Sequence, residues 1–511
     1  MSNANLYAVL ASGFPADRSQ VALETPQRHY TWDDLDQGSA RLANLLASLN
    51  LPEGARVAVQ VEKSPEALLL YLATLRAGYV YLPLNTAYRE AEVQYFLENA
   101  EPSVVVCSGK NEAWVKRVAQ AAGTAHVYTL EEDGKGSLMT AAEKQPSAFE
   151  TVVRQEDDLA AILYTSGTTG RSKGAMLSHG NLAANARVLH QYWGWHEGDV
   201  LLHMLPIFHV HGLFVASHGA LLAGARMIWL PKLDLEQALQ YLPRSTVMMG
   251  VPTYYVRLLA DPRFTREVCA NMRLFISGSA PLLTETFNDF RERTGHTILE
   301  RYGMSETVML TSNPYADGSG ERLGGTVGRA LPGVDVRVVD DQGQALPVGE
   351  IGNIQVRGAN VFSGYWRMPE KTREEFTADG WFKTGDVGRW GAPDGSAPDD
   401  YLSIVGRSKD LIISGGYNVY PKEIESVIDD MPGVAESAVI GVPHPDFGEA
   451  VVAVVVPRAG AQLDAEAMQQ ALRDKIANFK VPKRIHVVEQ LPRNTMGKVQ
   501  KNVLRDTYHA L

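Results

Sequence analysis

Cysteine is scarce: two in 511 residues, Cys107 and Cys269, neither with a partner at metal-ligand spacing. That excludes a disulfide scaffold and a cysteine-rich metal module. Positive charge is also in the minority, with 48 Lys and Arg against 59 Asp and Glu and a net charge of -11. The basic face a nucleic-acid binder needs is therefore not expected, although a locally basic site for an anionic ligand is not excluded. Long apolar runs are missing too. The most apolar stretch, 201–224, is broken by four histidines, a proline and glycines, so no membrane insertion is expected. The opening MSNANLYAVLASGF has no basic segment followed by an apolar core and is not arginine-rich. A cytoplasmic protein is the expectation.

What is present is an ordinary folding composition, 45% hydrophobic and 21% charged, in a chain long enough for two or more domains. Residues 1–150 alternate helical and strand-like patterns. Thr31 opens a capping signature before Leu35, Leu42, Leu45 and Leu46 at helical spacing. The segment 56–61 alternates as a strand, 66–76 is an apolar helix stopped by Gly78, and 104–107 is a short buried strand. Strand, helix and strand in series predict α/β layering. Residues 323–368 read as short alternating strands of a β subdomain. The Gly-Arg-Ser-Lys-Asp run, Gly406 to Asp410, is poor core material and reads as a linker. Two strand patterns and two helix patterns follow it, predicting a small α+β domain.

The chain is organised around AILYTSGTTGRSKGAM at 161–176. An apolar strand enters a loop carrying Gly167, Gly170 and Gly174, the hydroxyls of Thr165, Ser166, Thr168, Thr169 and Ser172, and the cations Arg171 and Lys173. Glycines let N–H groups turn toward an anion, and hydroxyls and cations complete a polyphosphate cradle. The spacing is not that of a Walker A loop.

The other candidates are spread along the chain. His209 and His211 stand two apart without the further ligands a zinc site needs, leaving a packed histidine or a pocket histidine as the readings. Arg257 lies four residues after Thr253 on an expected helix following a strand. It is either an exposed helix arginine or an anion partner facing the ligand crevice. Arg301-Tyr-Gly-Met-Ser-Glu306 combines a ring able to stack on a purine with a carboxylate able to hold magnesium. Asp386 can accept ribose hydroxyls or be a turn residue. Lys498 follows a glycine on a turn and is, on its own, an ordinary mobile lysine.

Taken together, YTSGTTGRSKGAM, RYGMSET, GWFKTGD, IVGRSKD and PRNTMGK resemble, in order, the motifs of the adenylate-forming superfamily of acyl-CoA synthetases. The resemblance implies an α/β fold: a large N-terminal adenylation domain, 1–407, of layered α/β subdomains plus a β subdomain, and a small mobile C-terminal lid domain, 408–511, with its hinge near Lys409. It implies an AMP-forming acid–thiol ligase using ATP, Mg2+ and CoA. Residue by residue, it assigns the phosphates to Thr165, Ser166, Gly167, Thr168, Thr169, Gly170 and Lys173. It assigns adenine and the nucleotide pocket to Ser279, Ala280, Pro281, Glu300, Arg301, Tyr302, Gly303, Met304 and Ser305. Asp386 and Arg407 go to ribose and Glu306 to Mg2+. His209 goes to the acyl pocket, Ser414, Gly415, Gly416 and Tyr417 to CoA, and catalysis to Lys498 with Thr165, Glu306 and His209. A lysine acyltransferase and deacylase acting on Lys498 are implied regulatory partners.

The segments YLPLNTAY, LERYGMSET, ISGGYNVYPKEIE and LPRNTMGKVQK are similar to malonyl-CoA synthetases. Malonate, and with it methylmalonate, is thus the expected acid, and a short-chain monocarboxylate of the same superfamily the alternative. A second carboxylate calls for a fixed, bidentate cation, so Arg257 is the first candidate for it and Arg301 the second.

Overall fold

The structure, a computed structural model, describes residues 3–165, 172–316, 318–392, 394–414, 417–444, 448–494 and 497–509. Its first layer is a six-stranded sheet in the order His126–Thr129, Val104–Cys107, Arg56–Gln60, Val80–Pro83, Leu159–Thr165 and Lys173–Ser178. The strands of this sheet run parallel except the last, which turns back on Leu159–Thr165. The second layer is a nine-stranded sheet. Its centre is Ile298–Met304, Leu274–Ser277, Val247–Gly250, Val200–His203 and Arg226–Trp229, also parallel.

Parallel strands covered on both faces need continuous apolar sequence, and VVVC at 104–107 and VMMG at 247–250 supply it. The helix Pro65–Arg76 is buried on every side, so it has no polar face. Its Leu68, Leu70 and Leu72 share one core with Val57 and Ala161 of the first sheet and Leu201 and Val247 of the second. Each such leucine contributes about 1.5–3 kcal/mol of burial. Its two charged residues are paired: Glu66 with Arg28, and Arg76 with Asp36. The capping signature at Thr31 holds, with a reciprocal Thr31–Asp34 box opening the helix Trp32–Ser48.

A four-stranded antiparallel sheet, Val334–Val339, Gly352–Gly358, Phe382–Trp390 and Leu402–Arg407, forms the β subdomain. A single 3-10 turn, Ser408–Asp410, then leads to the small domain. There Tyr417–Val419, Ile412–Ser414, Gly448–Pro457 and Val434–His444 form a sheet, with Arg484–Val487 parallel to Gly448–Pro457. The helices Pro421–Asp429 and Ala465–Arg473 pack on one face and Lys501–Thr507 on the other. This is the expected α/β class, a large domain followed by a small one.

The strand Ile298–Met304 ends in a hairpin through 305–307 that pairs it with Val308–Ser312. The apolar stretch 201–224 divides into the strand Val200–His203, a π-helical turn His211–Ser217 and the helix His218–Ala223. Among the described residues no helix is long and apolar enough to cross a membrane.

Candidate active site

The parallel strands Val247–Gly250 and Leu274–Ser277 and the strand Ile298–Met304 open their carboxyl ends onto one crevice, where an α/β sheet binds ligands. The expected phosphate-binding segment joins Leu159–Thr165 to Lys173–Ser178, and Thr165 is paired with Lys173 on these antiparallel strands. Ser166, Gly167, Thr168, Thr169 and Gly170 lie outside the described residues. At the base of the loop, Thr165 Oγ1 donates to the Lys173 carbonyl at 3.4 Å. The Lys173 ammonium lies 4.3 Å from the centroid of the Tyr365 ring and 3.5 Å from Glu375 Oε1.

Tyr365 also reaches the metal candidate: its hydroxyl donates to Glu306 Oε1 at 2.9 Å. Glu306 is buried, and burial raises its carboxyl above the ordinary range. Among the described residues no cation forms an ion pair with it, and no group of three or more His, Cys, Asp or Glu could hold a metal. One buried, hydrogen-bonded carboxylate fits a hard cation that takes its other oxygens from phosphates and water, as Mg2+ does.

The residues expected at the nucleoside lie on neighbouring strands. Asp386 and Arg407 face each other in register on Phe382–Trp390 and Leu402–Arg407, 3.3 Å apart. The Tyr302 hydroxyl donates to Asp386 Oδ2 at 2.5 Å. Asp386 holds the Arg407 guanidinium above its usual range. Glu300 is buried, accepts from Gly325 N–H at 3.2 Å, and is pushed up to about 8 by burial. Ser279 takes a left-handed φ of 72° where the strand Leu274–Ser277 turns into Ala280 and Pro281. Its hydroxyl sits 3.2 Å from His211 Nδ1.

Beside these residues lies a cationic pocket. Arg301 is 4% exposed, with Nε and one terminal nitrogen buried and unpartnered. It packs against the backbone of Gly278, where a Cβ would fall 2.3 Å from the guanidinium carbon. Burial lowers its ordinary basicity, but a guanidinium keeps its proton in a protein, so it stands as a desolvated cation without an anion. His209 and His211 are close enough to feel it. Burial, then Lys498 and Arg301, push His209 down to about 3, and burial, then Arg301, hold His211 far below the usual range. Both are neutral imidazoles. Arg257, by contrast, is exposed on the helix Pro252–Ala260, whose buried face is Tyr255 and Leu258.

The small domain brings Lys498 to this cleft. It is solvent-accessible in the opening yet walled by protein, and these walls together with Arg407 lower its ammonium. The approach uses Gly497, which has a left-handed φ of 74° and where a Cβ would lie 3.6 Å from Thr253 Oγ1. Lys409 stands on the connecting 3-10 turn, open to solvent along the chain side, and the protein packed around its ammonium, then Arg407, pushes it down to about 8. Ser414 is buried and is paired with Tyr417 on the neighbouring strand. Gly415 and Gly416 lie outside the described residues.

Sequence reasoning missed Tyr365 and the Ser279–His211 contact. Tyr365 lies within 323–368, which reads in sequence only as a β subdomain, and nothing there indicates that its ring packs between Lys173 and Glu306.

Residues 11–366 match the AMP-binding enzyme family, and residues 423–498 the AMP-binding enzyme C-terminal domain. The chain is 55% identical to ATP-bound MatB from Rhodopseudomonas palustris, with a TM-score of 0.95 over 99% of both chains. Against the apo form of that protein the identity and coverage are the same but the TM-score is 0.85. The present structure is thus more similar overall to the ATP-bound form than to the apo form. A malonate–CoA ligase of Arabidopsis thaliana is 33% identical over 533 residues, covering 95% of this chain and 86% of that protein. This chain belongs to the AMP-binding enzyme family.

Proposed function

We propose that the protein is an AMP-forming malonate–CoA ligase, acting through a malonyl-adenylate. The observation that carries the acid is Arg301: a buried, unpartnered guanidinium beside two neutral histidines and within the field of Lys498. A pocket for an alkyl tail gains nothing from such a cation, whose burial costs several kcal/mol unless an anion arrives. A dicarboxylate supplies one carboxylate to Arg301 and leaves the other to react. Arg301 therefore precedes Arg257 as the partner of the second carboxylate. Malonate ligation also agrees with the name of the Arabidopsis thaliana relative, a malonate–CoA ligase.

In the first half-reaction the reacting carboxylate oxygen bonds to the α-phosphorus of ATP and pyrophosphate leaves. Thr165, the loop residues 166–170 and Lys173 hold the phosphates. Tyr302 and the segment Ser279, Ala280 and Pro281 pack adenine, and Asp386 and Arg407 hold ribose. Lys498 bridges the carboxylate and the α-phosphate, donating to oxygens that gain charge in the transition state. Glu306 would hold a magnesium ion there, which would supply neutralisation of the phosphate charge.

In the second half-reaction the small domain turns about Lys409, taking Lys498 away and bringing residues 414–417 in. The CoA thiol then bonds to the acyl carbon and AMP leaves. The domain boundary at 407/408 belongs to this proposal. So does control by a lysine acyltransferase and deacylase, since acylating Lys498 removes the ammonium the first half-reaction needs. Protein acetylated at Lys498 that keeps full adenylation activity would overturn that last point. A cytoplasmic setting goes with this reading, both cysteines being buried and free.

The test is thioester formation from ATP, Mg2+, CoA and malonate, methylmalonate, succinate, acetate, propionate or butyrate. Preference for malonate, lost in Arg301→Ala with the KM for ATP kept, is expected. Preference for the monocarboxylates would sink the assignment of the acid and leave the ligase.

A further inference from the structure

Lys63 follows the strand Arg56–Gln60 and precedes the cap of the helix Pro65–Arg76. It is 8% exposed, and among the described residues no carboxylate pairs with it. Its Nζ lies 2.8 Å from His203 Nδ1, 2.9 Å from the His203 carbonyl oxygen and 4.4 Å from the centroid of the Trp229 ring. A ring nitrogen, a carbonyl and an indole face thus accept the three N–H bonds of an ammonium. Burial lowers its affinity for the proton, which makes the site costly to build.

His203 passes this contact on. Its Nε2 lies 2.9 Å from the Gly212 carbonyl oxygen and 3.1 Å from Ser217 Oγ. Ser217 already donates its proton to the same carbonyl at 2.8 Å. A carbonyl only accepts, so His203 Nε2 must carry a proton, and in the neutral ring Nδ1 is the bare acceptor that Lys63 fills. Gly212 is held from the other side as well: a Cβ there would fall 2.0 Å from the Pro206 carbonyl oxygen. The segment from Pro206 to Gly212 thus closes back on itself, with its Gly212 end held by His203 and Ser217. It carries His209 and His211, and it runs into a π-helical turn, a geometry that needs local support.

We propose that Lys63 is a positioning residue for the acid pocket. Through the tautomer and placement of His203 it fixes the Gly212 carbonyl, and with it the turn that aims His209 and His211 at the substrate acid. This rests on the pocket of Arg301, His209 and His211 being the acid site.

The experiment compares Lys63→Met, which keeps length and apolar volume, with wild type and with Arg301→Ala. In Lys63→Met the KM for malonate is expected to rise about tenfold, with the KM for ATP moving less than about twofold, because misplaced pocket groups cost binding only where they touch the substrate. A rise shared equally by both KM values, or no rise in a folded variant, overturns the proposal. Independently, ¹⁵N-histidine NMR of the wild-type protein is expected to show His203 protonated at Nε2 with a hydrogen-bonded Nδ1. His203 protonated at Nδ1 instead overturns the proposal even if the variant does not fold. If Arg301→Ala leaves the malonate KM unchanged, what fails is the pocket assignment itself, a different outcome from failure at Lys63 alone.

Discussion

The Tyr365 hydroxyl donates to Glu306 at 2.9 Å while the Lys173 ammonium rests 4.3 Å from the same ring. One side chain thus supports the carboxylate assigned to magnesium and the lysine assigned to phosphate. Hydrogen bonds to a buried charged group contribute about 1.5–3 kcal/mol. Tyr365→Phe removes the hydroxyl and keeps the ring. It is expected to slow ATP–pyrophosphate exchange about tenfold and to raise the Mg2+ concentration for half-maximal rate. Tyr365→Leu also removes the surface under Lys173 and should add a rise in the KM for ATP. An Mg2+ titration of exchange in both variants separates the two effects, and equal behaviour of the two would contradict the double role.

Asp386 gathers Tyr302 and Arg407 at 2.5 Å and 3.3 Å while only 6% exposed. Asp386→Asn keeps the shape but not the charge that holds Arg407. The KM for ATP is expected to rise about tenfold or more, with the KM for malonate little changed. Steady-state kinetics with each substrate varied in turn check this.

Arg458 of the small domain reaches both carboxylate oxygens of Glu285 of the large domain at 2.5 Å. The pair crosses a groove of about 530 Å³, also lined by Asp289, Asp429 and Asp430 and sharing no residue with the cleft that Lys498 enters. Both partners are nearly half exposed, so the pair contributes at most about 1 kcal/mol. Arg458→Glu places like charges across the groove. Pyrophosphate exchange is expected to fall about two- to fivefold, while thioester formation from isolated acyl-adenylate is spared. Restoring the pair in reverse, with Glu285→Arg in the same protein, should recover exchange. Equal loss of both half-reactions would show that the pair is not specific to this arrangement.

Glu300 is buried and pushed up to about 8. Its folded value lies above its unfolded one, so the native state holds a proton that the unfolded state has released. The contribution of this group is fully present below the unfolded value, near 4.5, and is lost as pH rises toward about 8. Glu300→Gln mimics the protonated form. It is expected to change thermal stability little at pH 4.5 and to raise it by about 2–4 kcal/mol at pH 8.5, discounted from the ceiling set by the shift. Calorimetric unfolding at the two pH values checks the sign, and a gain only at the acid end would reverse it.

Local chemistry sufficed for much of this protein. The cap at Thr31, the apolar strand 104–107 and the Gly, Thr and Lys order after Leu163 are consequences of neighbouring residues, so the layered α/β class and the nucleotide motifs were legible in the sequence. Partners far apart in the chain were not. Whether Arg257 or Arg301 is desolvated depends on which face of the helix Pro252–Ala260 packs inward and on Gly278 making room for a guanidinium. Neither spacing nor composition carries that. Tyr365 meets Glu306, and Lys63 meets His203, across 59 and 140 residues. The sequence by itself determined the class of fold and the chemistry available. Tertiary structure alone decided which charges are buried without partners, because desolvation is set by everything packed around a group and not by its neighbours in the chain.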